Sequence, residues 1–391
     1  MKFTEFDRQM MHRCIDLAKQ AWGKTAPNPL VGAVIVKDGT VIGEGFHPGA
    51  GQPHAEVFAL REAGDRAQGA TIYVSLEPCN HYGRTPPCAA ALVQAGIAKV
   101  VVGMVDPNPL VSGGGIATLE QAGIEVVVGV ETAACEELNE GFVQRIVHHR
   151  SLGILKYAMT LDGKIATDSG HSTWVSSETS RNYVHHLRAG CDAVVIGGNT
   201  LRSDNPLLTS HALDTPNPLR VVMTRNLDLP TDAILWNTSV APTLVATEIG
   251  GNLEMLARLR DRGVEVLELD TLRPTHVMQH LYDRGHLSVL WECGGTLAAS
   301  AIADGVIQKV LAFIAPKIVG GSTAPSPVGD LNIRSMSEAL VLERVTWQQI
   351  GIDLLVQGYI KQLTVDSGQL TAKSADGLHE GSYWRSTLSL G

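Results

Sequence analysis

Six cysteines in 391 residues, at 14, 79, 88, 135, 191 and 293, are too few and too irregularly spaced for a disulfide framework. They suit a reducing compartment, where thiolates stay free for metal. No stretch approaches the roughly 20 apolar residues of a membrane span. The amino terminus carries Glu5 and Asp7, which a transit peptide avoids, and lacks an apolar core of signal-peptide length. The expected location is the cytoplasm. No run of Lys and Arg is present to track a phosphate backbone, and the formal net charge is −9, so nucleic acid is an unsuitable partner. A Gly-x-Gly-x-x-Gly fingerprint is also missing after the first strand of the second half, which argues against an ordinary Rossmann dehydrogenase.

What is present is an apolar, glycine-rich chain, 44% hydrophobic with 40 glycines, of the composition expected for a turn-rich α/β protein. Its length predicts two domains, at roughly 100 to 200 residues each. Thr4 is a candidate N-cap for a helix to about Trp22, and Val31–Val36 and Val41–Gly45 read as a hairpin. Further strands are expected at Thr71–Leu76, Lys99–Val105 and Glu125–Val130, alternating with helices at His54–Leu60, Cys88–Gln94 and Ile116–Gln121. That alternation, with helices ending at Gly64, Gly96 and Gly123, predicts one sheet covered by helices. Gly113-Gly114-Gly115 reads as a mobile turn.

A helix over Thr132–His149 leads to a second alternating series that opens with the apolar run Leu152–Ala158. Its strands are expected at Ala193–Ile196, Leu219–Met223, Thr243–Ala246, Val264–Leu267, Ser288–Glu292, Val310–Ile314 and Ile352–Tyr359. The expected division is 1–150, 151–361 and a polar tail, 362–391.

The chemistry concentrates between residues 54 and 88. His54-Ala55-Glu56 precedes Pro78-Cys79, and Cys88 closes the loop Asn80 to Pro87. One imidazole and two thiolates hold Zn²⁺ at three tetrahedral corners and leave the fourth for water, while the adjacent glutamate stays off the metal to move protons. This is the zinc deaminase pattern, with His54, Cys79 and Cys88 as ligands and Glu56 as the catalytic acid–base. A closed structural site needs a fourth ligand, for which His81 is the nearest candidate. A binding module with such a site has no use for Glu56. Cys79 and Cys88 are separated by eight residues, where the common deaminase spacing is two. The insert carries His81, Arg84 and Thr85, donors suited to a polar or phosphorylated pyrimidine.

In the second half Lys156, Asp162, Trp174, Arg188, Asp204 and the Glu292-Cys293-Gly294-Gly295-Thr296 turn form a polar set. Gly294-Gly295 follows a strand and opens a helix, so it offers backbone N–H groups to a phosphate; paired glycines there are as often structural. The adjacent pairs His148-His149 and His185-His186 point about 100° apart on a helix and read as surface or interface residues.

Pro-Cys-x-His-x-Gly-Arg-Thr-Pro-Pro-Cys, together with Pro27–Val36 and Asp106-Pro107-Asn108-Pro109, resembles the bifunctional deaminase-reductases of riboflavin biosynthesis. Lys156–Ala166, Gly197–Thr209, Glu292–Leu297 and Ala315–Gly320 are similar to the reductase half of that family. The resemblance implies a cytidine-deaminase-like three-layer domain followed by a dihydrofolate-reductase-like α/β domain. It implies a phosphoribosylated diaminopyrimidine as substrate and Zn²⁺ and NADPH as cofactors. It also implies cofactor contacts at Ala158, Trp174, Thr200, Asp204, Thr224, Gly294, Gly295, Thr296, Leu297, Ala298, Ala299 and Ser300, and substrate contacts at Ser172, Arg188, Leu208 and Glu292. A homo-oligomer is expected. One departure stands out: where the family commonly has an arginine that helps hold the ribose phosphate, this chain has His211, a weaker and pH-dependent partner. A slow or silent reductase is therefore one alternative, and a nucleoside or transfer-RNA base deaminase another.

Overall fold

The computed structural model describes residues 3–81, 86–109, 111–211 and 215–361, with the backbone of 365–366 and 369–370 beyond them. Arg84 and Thr85, and the tail 362–391 apart from that two-stranded ladder, lie outside the described residues.

The first helix, α1 (Glu5–Lys19), starts where a capping box forms: the Thr4 hydroxyl accepts from the Asp7 N–H, and the Asp7 carboxylate accepts from the Thr4 N–H. Then β1 (Gly32–Lys37) and β2 (Thr40–Phe46) pair across Asp38 and Gly39. Both turn residues have positive φ, as a two-residue hairpin with right-handed twist requires. The alternation continues through α2 (Ala55–Ala63), β3 (Thr71–Leu76), α3 (Cys88–Gln94), β4 (Lys99–Met104), α4 (Gly114–Gln121) and β5 (Glu125–Val128). The sheet order is β2-β1-β3-β4-β5, with β1 antiparallel to both neighbours and β3, β4 and β5 parallel. Side chains alternate between its faces. Val34 and Tyr73 meet Met11 and Cys14 of α1, whereas Ala33, Ile35 and Ile72 meet Ala59, Leu92 and Leu119 of α2, α3 and α4.

Two expectations fail here for tertiary reasons. The helix predicted over Thr132–His149 is two, α5 (Thr132–Leu138) and α6 (Glu140–His148). They part at Asn139, whose buried amide brackets the backbone of Leu30, accepting its N–H at 2.8 Å and donating to its carbonyl at 3.0 Å. Gly113-Gly114-Gly115, expected to be a mobile turn, is instead the packed start of α4. A Cβ on Gly115 would fall 1.9 Å from the Pro78 carbonyl oxygen, so only glycine lets this helix meet the cysteine loop.

The second half runs β6 (Leu152–Thr160), α7 (Glu178–Ala189), β7 (Ala193–Gly197), α8 (Gly198–Asp204), β8 (Leu219–Met223), β9 (Thr243–Glu248), α9 (Leu253–Asp261), β10 (Glu265–Leu269), α10 (Pro274–Asp283), β11 (Ser288–Trp291), α11 (Gly295–Ala303), β12 (Lys309–Ala315), β13 (Leu342–Ile350) and β14 (Asp353–Ile360). Its nine strands lie in the order β10-β9-β8-β7-β11-β6-β12-β14-β13, parallel except for the antiparallel pairs at β14. The edge strand β13 went unpredicted because Leu-Glu-Arg-Val-Thr-Trp-Gln-Gln-Ile buries neither face. Only its ladder to β14 defines it.

The halves meet through side chains. The Glu140 carboxylate of α6 accepts from Lys309 Nζ at 2.7 Å and from the Tyr359 hydroxyl. Arg145 donates to the Tyr282 carbonyl at 2.6 Å with its guanidinium over that ring. Among the described residues, no helix is long and apolar enough to cross a membrane.

Candidate functional site

His54 sits at the N-cap of α2, and Glu56 lies in the first turn of that helix. The helix is drawn onto the hairpin by two glycines of β2: a Cβ on Gly43 would lie 2.3 Å from the Ala59 carbonyl oxygen, and one on Gly45 would lie 2.5 Å from that of Ala55. Cys79 follows β3 and Cys88 opens α3. The fold thus brings His54, Cys79 and Cys88 together, with ligand atoms all within 4.8 Å of one another. His54 Nδ1 is 3.2 Å from Cys88 Sγ and 3.6 Å from Cys79 Sγ. This donor set suits zinc. His81 is exposed, and the cluster does not include it.

The Cys88 thiol hydrogen-bonds to Cys79 and, with His54 and the Cys88 backbone N–H at 3.4 Å, holds the Cys79 thiol down at about 4. A lowered thiol gives the thiolate, the form that binds metal, more readily. The same bond and burial push the Cys88 thiol up, and both thiols release their protons when they take a metal. Glu56 is buried, its Oε2 has no hydrogen-bond partner, and burial pushes its carboxyl up to about 7. Such a group exchanges protons near neutral pH.

Sequence reading assigned no role to His47, Asp106 or Glu77 beside this cluster. His47 meets the His54 ring edge to face, with centroids 5.4 Å apart, and its two ring nitrogens face the Asn28 amide and the Pro53 carbonyl, each at 3.1 Å. Buried Asp106 accepts from the Asn108 N–H at 2.8 Å, and burial pushes its carboxyl up to about 6. Asn28 and Asp106 lie in stretches that carried the resemblance, which was their only signal. Buried Glu77 takes four backbone N–H groups: Asp106 and Gly113 on Oε2 at 3.2 and 3.0 Å, Gly115 and Ile116 on Oε1 at 3.0 and 3.2 Å. It fastens the Pro78-Cys79 loop to the start of α4.

In the second half Asp162, Thr200, Thr224 and Glu292 lie just past the carboxyl ends of β6, β7, β8 and β11, the edge at which open α/β sheets bind ligands. Arg188 holds Glu292 in a fork, at 2.6 Å from Nε and 3.1 Å from Nη2, and Lys156 Nζ lies 3.6 Å from the same carboxylate. Burial alone would raise the Glu292 carboxyl, but the two cations hold it at about 2. Ala158 lies near the end of β6, Thr200 in α8 just past β7, and Thr224 just past β8. The Ser172 hydroxyl donates to Asp204 at 3.1 Å. Trp174 is exposed with Arg181 stacked on it, while Asp162 accepts from the Val319 and Gly320 N–H groups.

Gly294 is the N-cap of α11, and a Cβ there would meet open space, which leaves the helix end free for a phosphate. Gly295 has the opposite reason to be glycine, because a Cβ would fall 2.6 Å from the Ser326 carbonyl oxygen. Thr296 and Ser300 are exposed, Leu297 packs over Gly197, and Ala298, Ala299 and Leu208 are buried. His211 stacks on His185 with centroids 3.8 Å apart, beside Arg188 and Glu292.

Two protein-family models match: the cytidine and deoxycytidylate deaminase zinc-binding region over residues 4–104, and the RibD C-terminal domain over residues 152–356. The riboflavin biosynthesis protein RibD of Synechocystis sp. is 62% identical over 354 residues, covering 90% of this chain and 96% of that protein. That of Aquifex aeolicus is 42% identical, with coverage of 90% and 98%. The structure of Acinetobacter baumannii RibD aligns with a TM-score of 0.81 at 40% identity, covering 92% of this chain and 99% of that one. A diaminohydroxyphosphoribosylaminopyrimidine deaminase/5-amino-6-(5-phosphoribosylamino)uracil reductase from Thermotoga maritima aligns with a TM-score of 0.78 at 34% identity, covering 91% and 99%. Likeness of this extent spans both sites, and the chain belongs to the RibD family of bifunctional riboflavin biosynthesis enzymes, which join a zinc-binding deaminase to a reductase.

Proposed function

We propose that residues 1–150 deaminate diaminohydroxyphosphoribosylaminopyrimidine phosphate and that residues 151–361 reduce the ribosyl group of the product to a ribityl chain with NADPH. The observation that carries the first step is the buried, unpartnered carboxylate oxygen of Glu56 beside the His54, Cys79 and Cys88 donors.

His54, Cys79 and Cys88 would hold zinc, which would supply a water acidic enough to attack near neutral pH. Glu56 takes the water proton and passes protons to the ring nitrogen and the departing amine. Water adds at the ring carbon, the carbon–nitrogen bond breaks, and ammonia leaves a carbonyl behind. Asn28, His47 and Asp106 wall the pocket and orient the ring.

NADPH would supply a hydride to the anomeric carbon of the ring-opened ribosyl group, with a proton from solvent going to the attached nitrogen. Gly294 to Ser300, Ala158, Trp174, Thr200, Asp204 and Thr224 hold the cofactor, and Ser172, Arg188, Leu208 and Glu292 hold the substrate. For buried Ala298, Ala299 and Leu208 the contact is through the backbone. We further propose a cytoplasmic homo-oligomer. A second reading, an active deaminase with a slow reductase, draws on His211, whose ring is engaged with His185.

A coupled assay with and without NADPH tests the proposal. Ammonia should appear without NADPH, and NADPH should be oxidised only after deamination. Ammonia release by E56Q at the native rate would overturn the first step; deamination without any NADPH oxidation would select the slow-reductase reading.

A further inference from the structure

The deaminase half touches the reductase half at the last turn of α7, the turn that carries Arg188. Trp22, from the segment after α1, lays its indole against Gly190, where a Cβ would fall 2.0 Å from Nε1 and 2.2 Å from Cε2. The indole N–H donates to the His186 carbonyl at 3.3 Å. That carbonyl already accepts the Gly190 N–H at 3.2 Å, and the indole adds a second donor, from the other half, to the end of the helix. Next to it Gly23, at φ 73°, brings its backbone so near that a Cβ would lie 1.8 Å from the Ala189 carbonyl oxygen. Thus Trp22 and Gly23 bear on His186, Ala189 and Gly190, while Arg188 between them reaches the other way to Glu292.

We infer that Trp22 is a positioning residue of the reductase reaction, supplied by the deaminase half: it sets where α7 presents Arg188 to Glu292 and to substrate. The inference rests on Arg188 and Glu292 being the substrate-holding pair. Small misplacements of such a clamp are costly, since binding geometry is what an orienting residue contributes. Trp22 is not needed merely to join the halves, because Glu140 with Lys309 and Tyr359, and Arg145 with Tyr282, join them elsewhere.

The test uses the full-length chain and pre-deaminated substrate, with NADPH oxidation for the reductase and ammonia release for the deaminase. W22A should raise the reductase KM about fivefold while kcat stays within about twofold. W22F, which keeps a flat ring on Gly190, should recover part of that loss. R145A, which weakens docking away from α7, should leave KM unchanged, and ammonia release should stay native in all three. Should W22A fail to fold, G190A displaces the indole from the other side and should raise KM likewise. A native KM in W22A, an equal rise in R145A, or parallel loss of both activities overturns the inference. R188Q separates the two readings: a raised KM in R188Q with a native one in W22A sinks the inference alone, whereas a native KM in R188Q sinks the substrate reading beneath it.

Discussion

Arg188 and Glu292 form a part-buried bidentate pair, 2.6 and 3.1 Å, across 104 residues of sequence and between a helix end and a strand end. Glu292 titrates at about 2 in the fold against an ordinary 4.5. A depressed carboxyl stabilises the fold above its unfolded value and loses that contribution as pH falls towards the folded one. The stability gap between wild type and E292Q should therefore be full above pH 4.5 and shrink towards pH 2. Urea unfolding midpoints measured across that window check this; a constant gap contradicts it.

Removing Arg188 instead leaves Glu292, part-buried, with Lys156 as its neighbouring cation. R188A should cost about 3–5 kcal/mol. Thermal unfolding reads the loss, and ammonia release at a temperature where the variant is folded should be unaffected.

The metal cluster makes a separable prediction. C79S or C88S should lower zinc content from about one per chain to near zero and abolish ammonia release. E56Q should keep its zinc and slow ammonia release by about 10²- to 10⁴-fold. Zinc content by atomic absorption, beside the ammonia assay, distinguishes ligand from proton carrier.

Gly43 and Glu77 shape that cluster from outside it. G43V forces a side chain into the α2 backbone and should cost about 1–3 kcal/mol with weaker zinc retention. E77A strips two buried and two part-buried N–H groups of their acceptor, the buried ones each worth about 1–3 kcal/mol if left unmatched, so it should unfold at lower urea than wild type.

His211 is shifted below the ordinary histidine value by burial and by Arg188, so it is uncharged at neutral pH. H211R places a permanent cation there. The reductase KM for the phosphorylated substrate at pH 7.5 should fall several-fold, with the effect lost on a substrate lacking the phosphate. An unchanged KM would remove His211 from the phosphate site.

The motif around His54, Glu56, Cys79 and Cys88 was legible because its residue types are demanded by metal chemistry, which no packing alternative requires in that order. The strands buried on both faces, such as Leu219–Met223, were equally plain as short apolar runs between turn residues. Beyond those, local pattern ran out. The break at Asn139 exists for Leu30, more than a hundred residues away. The triple glycine was mistaken for a loose turn because what needs its small size is the Pro78 carbonyl, invisible from its neighbours. Exposed β13 has no periodicity to read.

By itself, then, the chain's sequence determined the reaction class, the candidate metal donors and the alternating architecture, since each follows from side-chain chemistry or from apolar spacing along a few residues. Tertiary structure alone decided which carboxylate stays unpaired, which is held by two cations, and that Trp22 reaches across to the turn bearing Arg188. Burial and distance set those properties, and both arise only when distant segments come together.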